Sequence, residues 1–482
     1  MFFRHRDGSD IALLIGHRIV FALLLFSVMA CTPAVPDRSS PVDLPSQFSA
    51  SGEEQLPDRW WLSFDDEILN ALITRSLTDN LNLKIAWDRL SQVRAVAHKA
   101  GADAFPSLNG EGRATRNWFR ENNQSGDSNN YGLGLVAGYE VDLWGRIRSQ
   151  QDAAALDVVA GLEELKAASV TLSAQVATTW YQLVEQYGQS RILNQQIATN
   201  SKALELISLQ FRTGKVGIAD VLQQRQLLET SRGELARIGS RTQVLEHQLA
   251  VLVGLTPDRS VASHVEFFSH LAPLPKVGIP TALLQRRPDI RAAWIKLDAA
   301  DQRLAAAVAD RFPRLSLSGR LETSGGEVSD LFDNWLASLA GNLVGPIIDG
   351  GRRRAEIERN RAVVAEQFHS YGQTVLDALT EVENALVRER QQHKYIANLD
   401  QQLQLATQAT ERIRDRYIKG GENYQRVLNA SLSLQVLQRN QLTAQRELYE
   451  IRIQLCRALA GGWNMERPID NGSSAAGETD GT

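Results

Sequence analysis

At 482 residues the chain is long enough for one large domain or several ordinary ones, and 43% apolar with 22% charged residues describes a sequence that folds. A formal net charge of -4 supplies no basic surface for nucleic acid, and two cysteines are too few for a disulfide framework. After residue 31 no apolar run approaches the roughly 18 residues of a membrane-crossing helix, so any later crossing must be made by strands.

Residues 1–30 read as a lipoprotein signal peptide. Arg4, Arg6 and Arg18 precede an apolar run over 19–30 that ends in Val-Met-Ala-Cys31. Small Ala30 before Cys31 has the pattern of a lipobox, in which the cysteine is acylated and becomes the mature N-terminus. An ordinary secretory signal with an incidental cysteine is the other reading. Loss of this segment removes three arginines and two aspartates and leaves a charge of -5. Cys456 is then the remaining thiol, and its place inside a helical stretch points to packing. Residues 31–62, rich in Pro, Ser and Asp, predict a lipidated tether that reaches the folded body at Trp60-Trp61.

A first unit is predicted over 63–256. Helical pattern over 65–104 stops at Phe105-Pro106, because proline cannot continue the hydrogen-bond ladder. Two strands follow, 107–116 and 131–144, joined by a loop over 117–130 dense in Asn, Ser, Gly and Asp. After Gly145 the period changes, and Ala, Gln, Glu and Leu without proline predict one helix as far as Phe211, a rod of roughly 100 Å. Along it Leu165, Ser169, Leu172, Val176, Thr179 and Leu183 recur at alternating steps of four and three, a coiled-coil seam. The chain turns at Gly214 and returns as a shorter helix over about 218–253, which could stack end to end with the helix before Phe105 beside the long rod.

A proline-rich connector over 257–280 leads to a second unit, 281–461, that repeats the first. Adding 207 to Ala86, Trp87, Phe105, Pro106, Leu108 and Asp142 gives Ala293, Trp294, Phe312, Pro313, Leu315 and Asp349, the mark of a duplication. The offset becomes 206 further on, where Phe211 and Gly214 match Tyr417 and Gly420. The second pair of strands is placed at 314–323 and 335–348. Residues 462–482, mostly Gly, Ser, Asp and Glu, predict a flexible tail.

Tyr131, Leu133, Leu135, Ala137, Tyr139, Val141 and Leu143 alternate with mostly small or polar residues, giving each strand an apolar and a polar face. Lipid outside and water inside suit this pattern, as does a pair of soluble hairpins. Gly132, Gly134 and Gly138 fall on the polar face, and Tyr139 and Trp144 are placed at a membrane interface. Each strand feeds its long helix through a junction: Asp142, Trp144 and Gly145 in the first unit, Asp349 and Gly350 in the second. Four strands leave unpaired edges that lipid does not tolerate, so more than one chain is required. Signatures of catalysis, metal binding and cofactor binding are missing from the sequence, and Arg286-Arg287 and Arg352-Arg353-Arg354 read as charged helix starts rather than anion sites.

Residues 139–146 (Tyr-Glu-Val-Asp-Leu-Trp-Gly-Arg), 286–293 (Arg-Arg-Pro-Asp-Ile-Arg-Ala-Ala), Phe312-Pro313 and the Ala-Gly-Gly-Trp463 ending resemble those of the TolC/OprM family of outer-membrane efflux proteins, in particular its NodT-type lipoprotein branch. The resemblance implies a mixed α and β membrane protein. It implies a homotrimer with a 12-stranded transmembrane β-barrel continued by a long α-helical periplasmic barrel, anchored in outer-membrane lipid through Cys31. It implies a passive exit duct without enzyme activity or cofactor, joined through a periplasmic adaptor (membrane fusion) protein to an inner-membrane RND-type pump. By the same resemblance Gln425, Asn429 and Leu432 stand at the periplasmic aperture, where close relatives carry a leucine, an aspartate and an arginine. The two return turns, with Arg212, Gly214 and Lys215 and with Lys419, Gly420 and Glu422, lie at the far end of the rods and would meet the adaptor. Trp294 stands where the family usually has Glu, a change expected to act on local packing. A lipid-anchored periplasmic scaffold of coiled helices without a pore is the alternative from a different class.

Overall fold

The computed structural model describes residues 41–121, 124–259, 261, 265, 267, 268 and 271–467. The predicted signal peptide, Cys31 and the start of the tether lie outside the described residues. A 3-10 turn at Trp60–Phe64 opens the first unit, followed by α1 (Glu67–Asp79), α2 (Leu81–Ala102), β1 (Ser107–Glu121), β2 (Gln124–Val141), α3 (Arg146–Arg212) and α4 (Ile218–Leu252). The second unit has α5 (Pro280–Arg286), α6 (Pro288–Ala309), β3 (Arg314–Gly325), β4 (Trp335–Val344), α7 (Arg352–Ile418) and α8 (Tyr424–Leu459). The copies match in length: α2 and α6 have 22 residues each, α3 and α7 have 67 each, and α4 and α8 have 35 and 36.

The helix expected over 65–104 is two helices, broken at Asn80. Its side-chain oxygen accepts a hydrogen bond from the Leu83 N–H (3.1 Å), so it caps α2, and its backbone is extended there. The same side chain donates Nδ2–H to the Leu252 carbonyl (2.9 Å), so one buried amide satisfies the start of α2 and the end of α4. α2 and α4 therefore meet end to end beside α3. Every residue of the seam from Leu165 to Leu183 is buried, as a heptad pattern requires of a helix packed along its length.

The four strands form one antiparallel sheet in the order β1-β2-β3-β4. Residues 117–130 were expected as a loop, but most of them continue the β1–β2 hairpin, in register from Ser107↔Gly138 to Glu121↔Gln124. The Phe119 ring lies across Gly126, where a Cβ would sit 2.9 Å from it, and Arg116 pairs with Asp127 at 2.7 Å. These cross-strand contacts hold a segment whose composition alone favours turns. The second and fourth strands end earlier than expected, at Val141 and Val344. Asp142 begins the turn that feeds α3. In the second copy a Cβ on Gly345 would be 2.8 Å from Pro313 Cγ, and Pro346 has no N–H to offer the ladder.

The two largest apolar cores among the described residues lie among the helices. The first gathers Trp60, Trp61, Phe64, Trp87, Trp180, Tyr181 and the end of α8, and the second gathers Phe48, Ile290, Tyr371, Val375, Val382 and Leu455. Cys456 is buried in the first, and burial pushes its thiol up to about 12, so it packs as a small apolar group. The tail is not free from residue 462 as expected. Trp463 packs edge-on against Trp61 at 4.9 Å and Arg467 pairs with Asp88 at 2.6 Å; residues 468–482 lie outside the described residues. Nor are residues 41–62 a loose tether. The Gly52 N–H donates to the Pro275 carbonyl (3.0 Å), Lys276 N–H to Glu54 carbonyl (2.6 Å) and Val277 N–H to Ser51 Oγ (3.1 Å), so this segment is stitched to the described part of the connector.

At Gly52 a Cβ would lie 1.6 Å from the Leu274 carbonyl oxygen, whereas at Gly101, inside α2, it would meet nothing within 4 Å. Gly52→Ala is expected to destabilise the protein by about 1–3 kcal/mol, the range for overpacking. Gly101→Ala should be neutral or slightly stabilising. Thermal unfolding followed by circular dichroism compares the two, and an unchanged midpoint for Gly52→Ala would show that the stitch to the connector does not contribute to stability.

Candidate functional site: barrel edges, pivots and aperture

β1 and β4 each have a hydrogen-bonded neighbour on one side only. Across the sheet the register places Tyr131, Leu133 and Leu135 of β2 on one face with Ala114, Gly112 and Gly110 of β1, with Leu321 and Leu317 of β3, and with Leu339 and Leu343 of β4. The opposite face carries Glu111, Arg320 and Glu322, where Arg320 pairs with Glu322 at 3.0 Å and with Glu111 at 3.6 Å. Gly132, Gly134 and Gly138 lie on this polar face. Leu133, Leu135, Leu339 and Leu343 are all exposed in the single chain. The eleven paired positions from Tyr131 to Val141 span roughly 25 Å once a barrel tilt of about 40° is allowed for, the height of a membrane band.

Below this band the predicted junction residues come together as two pivots. The Asp142 carboxylate accepts the Ile147 and Arg148 N–H groups (3.1 and 2.8 Å) while Gly145, at φ 74°, turns the chain into α3. Asp349 does the same for α7, accepting the Gly351 and Arg353 N–H groups at 3.0 and 3.3 Å. Here two glycines, Gly350 and Gly351, have positive φ, and Gly351 rather than Gly350 is the residue that caps the helix. This second turn is one residue shorter than the first, which is where the repeat offset changes from 207 to 206. Trp144 stacks on Phe312 at 4.7 Å and donates Nε1–H to the Pro313 carbonyl at 2.8 Å. It thereby locks the pivot of one unit to the strand start of the other.

One arginine of each cluster is spent inside the fold, while Arg286, Arg352 and Arg354 are exposed. Arg287 is buried against Asp289 and Glu381 and donates to the Ala458 carbonyl; burial works against its charge, but the two carboxylates hold its pKa above the ordinary value. Arg353 engages Asp310 and Asp349. Trp294 packs edge-on against Tyr371 at 5.2 Å.

At the far end of the rods the two return turns lie together. Gly214 and Gly420 have φ of 72° and 77°, and the Lys215 and Gly421 N–H groups close the helix ends onto the Gln210 and Arg416 carbonyls. Tyr417 donates its hydroxyl to Gln210, and Tyr424 donates to Gln224 at 2.6 Å. Burial raises both phenol pKa values. Arg212, Lys215 and Lys419 are exposed. Glu422 differs from a bare acidic residue: its side chain is 9% exposed and lies between Arg426 (2.9 Å) and Arg416 (3.7 Å). Gln425, Asn429 and Leu432 share one exposed face of α8, with Gln425 Nε2–H donating to Asn429 Oδ1 at 3.2 Å.

A feature missed in the sequence continues that face along α8. The contact between α3 and α8 is polar over several turns: Arg446 and Thr443 bind Glu185 (3.0 and 2.6 Å), Arg439 donates to Gln196 (2.8 Å), and Gln435 donates to Asn200 (2.9 Å). Burial, the largest effect, holds the Arg439 guanidinium below its ordinary pKa. Glu185, Gln189 and Gln196 form a polar stripe at steps of four and seven beside the seam of α3, which it meets at Asn200, and that spacing was the available signal.

The chain belongs to the outer membrane efflux protein family, whose sequence profile matches residues 72–255 and 279–461, one copy on each unit. It is 29% identical over 469 residues to the pyoverdine export outer membrane protein OpmQ of Pseudomonas aeruginosa, covering 93% of this chain and 97% of that protein. It is 26% identical over 454 residues to the probable outer membrane lipoprotein SilC of Salmonella typhimurium, covering 91% and 97%. The fold superimposes on the solved outer-membrane channel OprN with a TM-score of 0.84 at 27% identity, covering 90% of this chain and all of that one. Proteins of this family are trimeric channels of tripartite efflux systems, transport proteins rather than enzymes. That sets aside the scaffold without a pore and resolves the open edges: three sheets close into a 12-stranded barrel continued by the helices.

The Asp349 pivot generates a pH prediction. The Arg353 and Gly351 N–H groups hold its carboxyl below the ordinary range. A depressed folded-state pKa contributes stability that is present at neutral pH and lost as pH falls through the folded value. Asp349→Asn should therefore be less stable than wild type at pH 7, the gap closing in acid. Equal midpoints at pH 7 would show that the carboxylate charge does not hold the pivot.

Proposed function

We propose that this trimer is the exit duct of an efflux system whose long helical barrel is engaged at its return turns by a periplasmic adaptor protein and fed by an inner-membrane RND-type pump. The observation that carries the reading is the pairing of a sheet open at both edges with helices of 67 residues, roughly 100 Å, which joins a membrane barrel to a tube deep in the periplasm. Cys31 is the lipid anchor on this reading, in keeping with the similarity to a probable lipoprotein. The relative OpmQ is named for pyoverdine export and others for cation and solvent efflux, so one plan serves chemically different cargoes.

The aperture is a ring of Gln425, Asn429 and Leu432. Threefold symmetry multiplies any charge at a constriction, so three carboxylates would hold multivalent cations, whereas three amides do not. Glu422 adds no free negative ring because two arginines cover it.

Planar-bilayer recordings test both the duct and the ring. Wild type should conduct and be only weakly blocked by trivalent cations from the periplasmic side, and Asn429→Asp should strengthen the block roughly tenfold or more with the trimer intact. No conductance would remove the duct. Strong block of wild type, undiminished by Glu422→Gln and not increased by Asn429→Asp, would take Asn429 out of the constriction. For the turns, photo-crosslinkers at Lys215 and Lys419 should capture the adaptor in cells; labelling of these positions from outside intact cells would reverse the orientation.

A further inference from the structure

β2 pairs with β3 only as far as Tyr131↔Gly325, while β1 and β2 continue together to Glu121↔Gln124. The first hairpin therefore rises above the rest of the barrel at the end away from the helices, the extracellular end. Its register runs without a bulge, so the strict alternation of a strand carries the lipid-facing side of the barrel up onto the extension. Leu108, Gly110, Gly112 and Ala114 of β1 face lipid with Tyr131, Leu133 and Leu135, and the next residues on that same side are Arg116, Trp118 and Arg120. Arg113 falls on the lumen side.

The change in chemistry coincides with the membrane boundary. Tyr131, opposite Ala114, and Trp335, opposite Thr323, mark the top of the apolar band with the aromatic residues found at interfaces. Arg116 comes two residues and Arg120 six residues above Ala114, so along a tilted strand they stand roughly 5 and 15 Å beyond it, at the height of lipid head groups. All three side chains are exposed, Trp118 at 75%. The Arg116 guanidinium lies over the Trp118 ring at 5.5 Å and bonds Asp127 at 2.7 Å, which fixes its position and leaves its side chain 56% exposed.

We propose that Arg116, Trp118 and Arg120 form a binding girdle for the phosphate groups of the anionic glycolipid in the outer leaflet, repeated three times around the trimer. Guanidinium forks match phosphate oxygens bidentately, and the indole ring packs on the adjoining sugar and acyl boundary. Polar residues that served only to solvate the hairpin would have no reason to place both outward cations on the lipid side, in line with the apolar stripe. The girdle concerns lipid and not cargo, so it stands or falls apart from the aperture.

The test uses the purified full-length trimer and native mass spectrometry, titrating diphosphoryl lipid A and the same lipid with its phosphates removed. Wild type should retain the phosphorylated form preferentially. Arg116→Ala/Arg120→Ala should weaken that retention roughly 30-fold, from about 1 kcal/mol per basic residue at a charged surface. Arg120→Ala alone, which leaves the Arg116–Asp127 pair intact, should lose several-fold, and Arg113→Ala should bind as wild type. The trimer mass in the same spectra reports whether each variant assembles. Wild-type binding by both Arg120→Ala and the double variant, an equal loss in Arg113→Ala, or no preference for the phosphorylated lipid would overturn the proposal.

Discussion

The open edges of the four-stranded sheet are the constraint on which the rest of this structure depends. A strand edge in lipid leaves a row of N–H and C=O groups without partners, at a cost of several kcal/mol for each. β1 and β4 cannot close on one another within one chain, because four strands cannot curve into a barrel. Trimer formation is therefore the condition for being in the membrane at all. Threefold symmetry then extends to everything attached to the sheet: the helices become a tube, and each residue on the inner face becomes a ring.

Turning a tilted strand into a helix at each pivot requires a sharp change of direction and a partner for the free N–H groups at the helix start. The same solution is used twice, an aspartate for the N–H groups and a glycine at positive φ for the turn. The two pivots are tied together, since Trp144 of one unit stacks on Phe312 of the other. One duplicated plan thus becomes a rigid collar in which neither unit can tilt without the other.

Much of this plan was legible in the sequence because its signals are periodic. Alternation over residues 131–143 fixed which side of β2 faces lipid, and the absence of proline after Gly145 fixed the length of α3. Features that rest on a single side chain meeting a distant partner were not legible. Asn80 breaks a continuous helical pattern because its amide reaches Leu252, 172 residues away. Residues 117–130 read as a loop because Asn, Ser and Gly favour turns, yet Phe119 over Gly126 and Arg116 against Asp127 hold them as a hairpin. At the second return turn, position along α8 was readable, but the neutralisation of Glu422 by Arg416 and Arg426 required the turn to be folded.

The distribution of apolar and polar packing along the rods has a mechanical consequence. Midway along the rods the helices are held by two large cores, whose separation would expose tryptophan, tyrosine and leucine side chains at about 1.5–3 kcal/mol apiece. Toward the return turns the described apolar cluster shrinks to Ile207, Leu227, Tyr424 and Leu428 with a few partly buried neighbours. There α8 meets α3 through Glu185, Gln196, Asn200, Gln435, Arg439 and Arg446. Hydrogen bonds between such groups can be exchanged for bonds to water at a net cost of about 1 kcal/mol each, provided water can enter. A channel lumen supplies that water. Separation of α8 from α3 is therefore cheap toward the return turns and expensive at mid-rod, where α8 ends, so the return-turn end of the tube can widen while the membrane barrel stays closed upon its own strands.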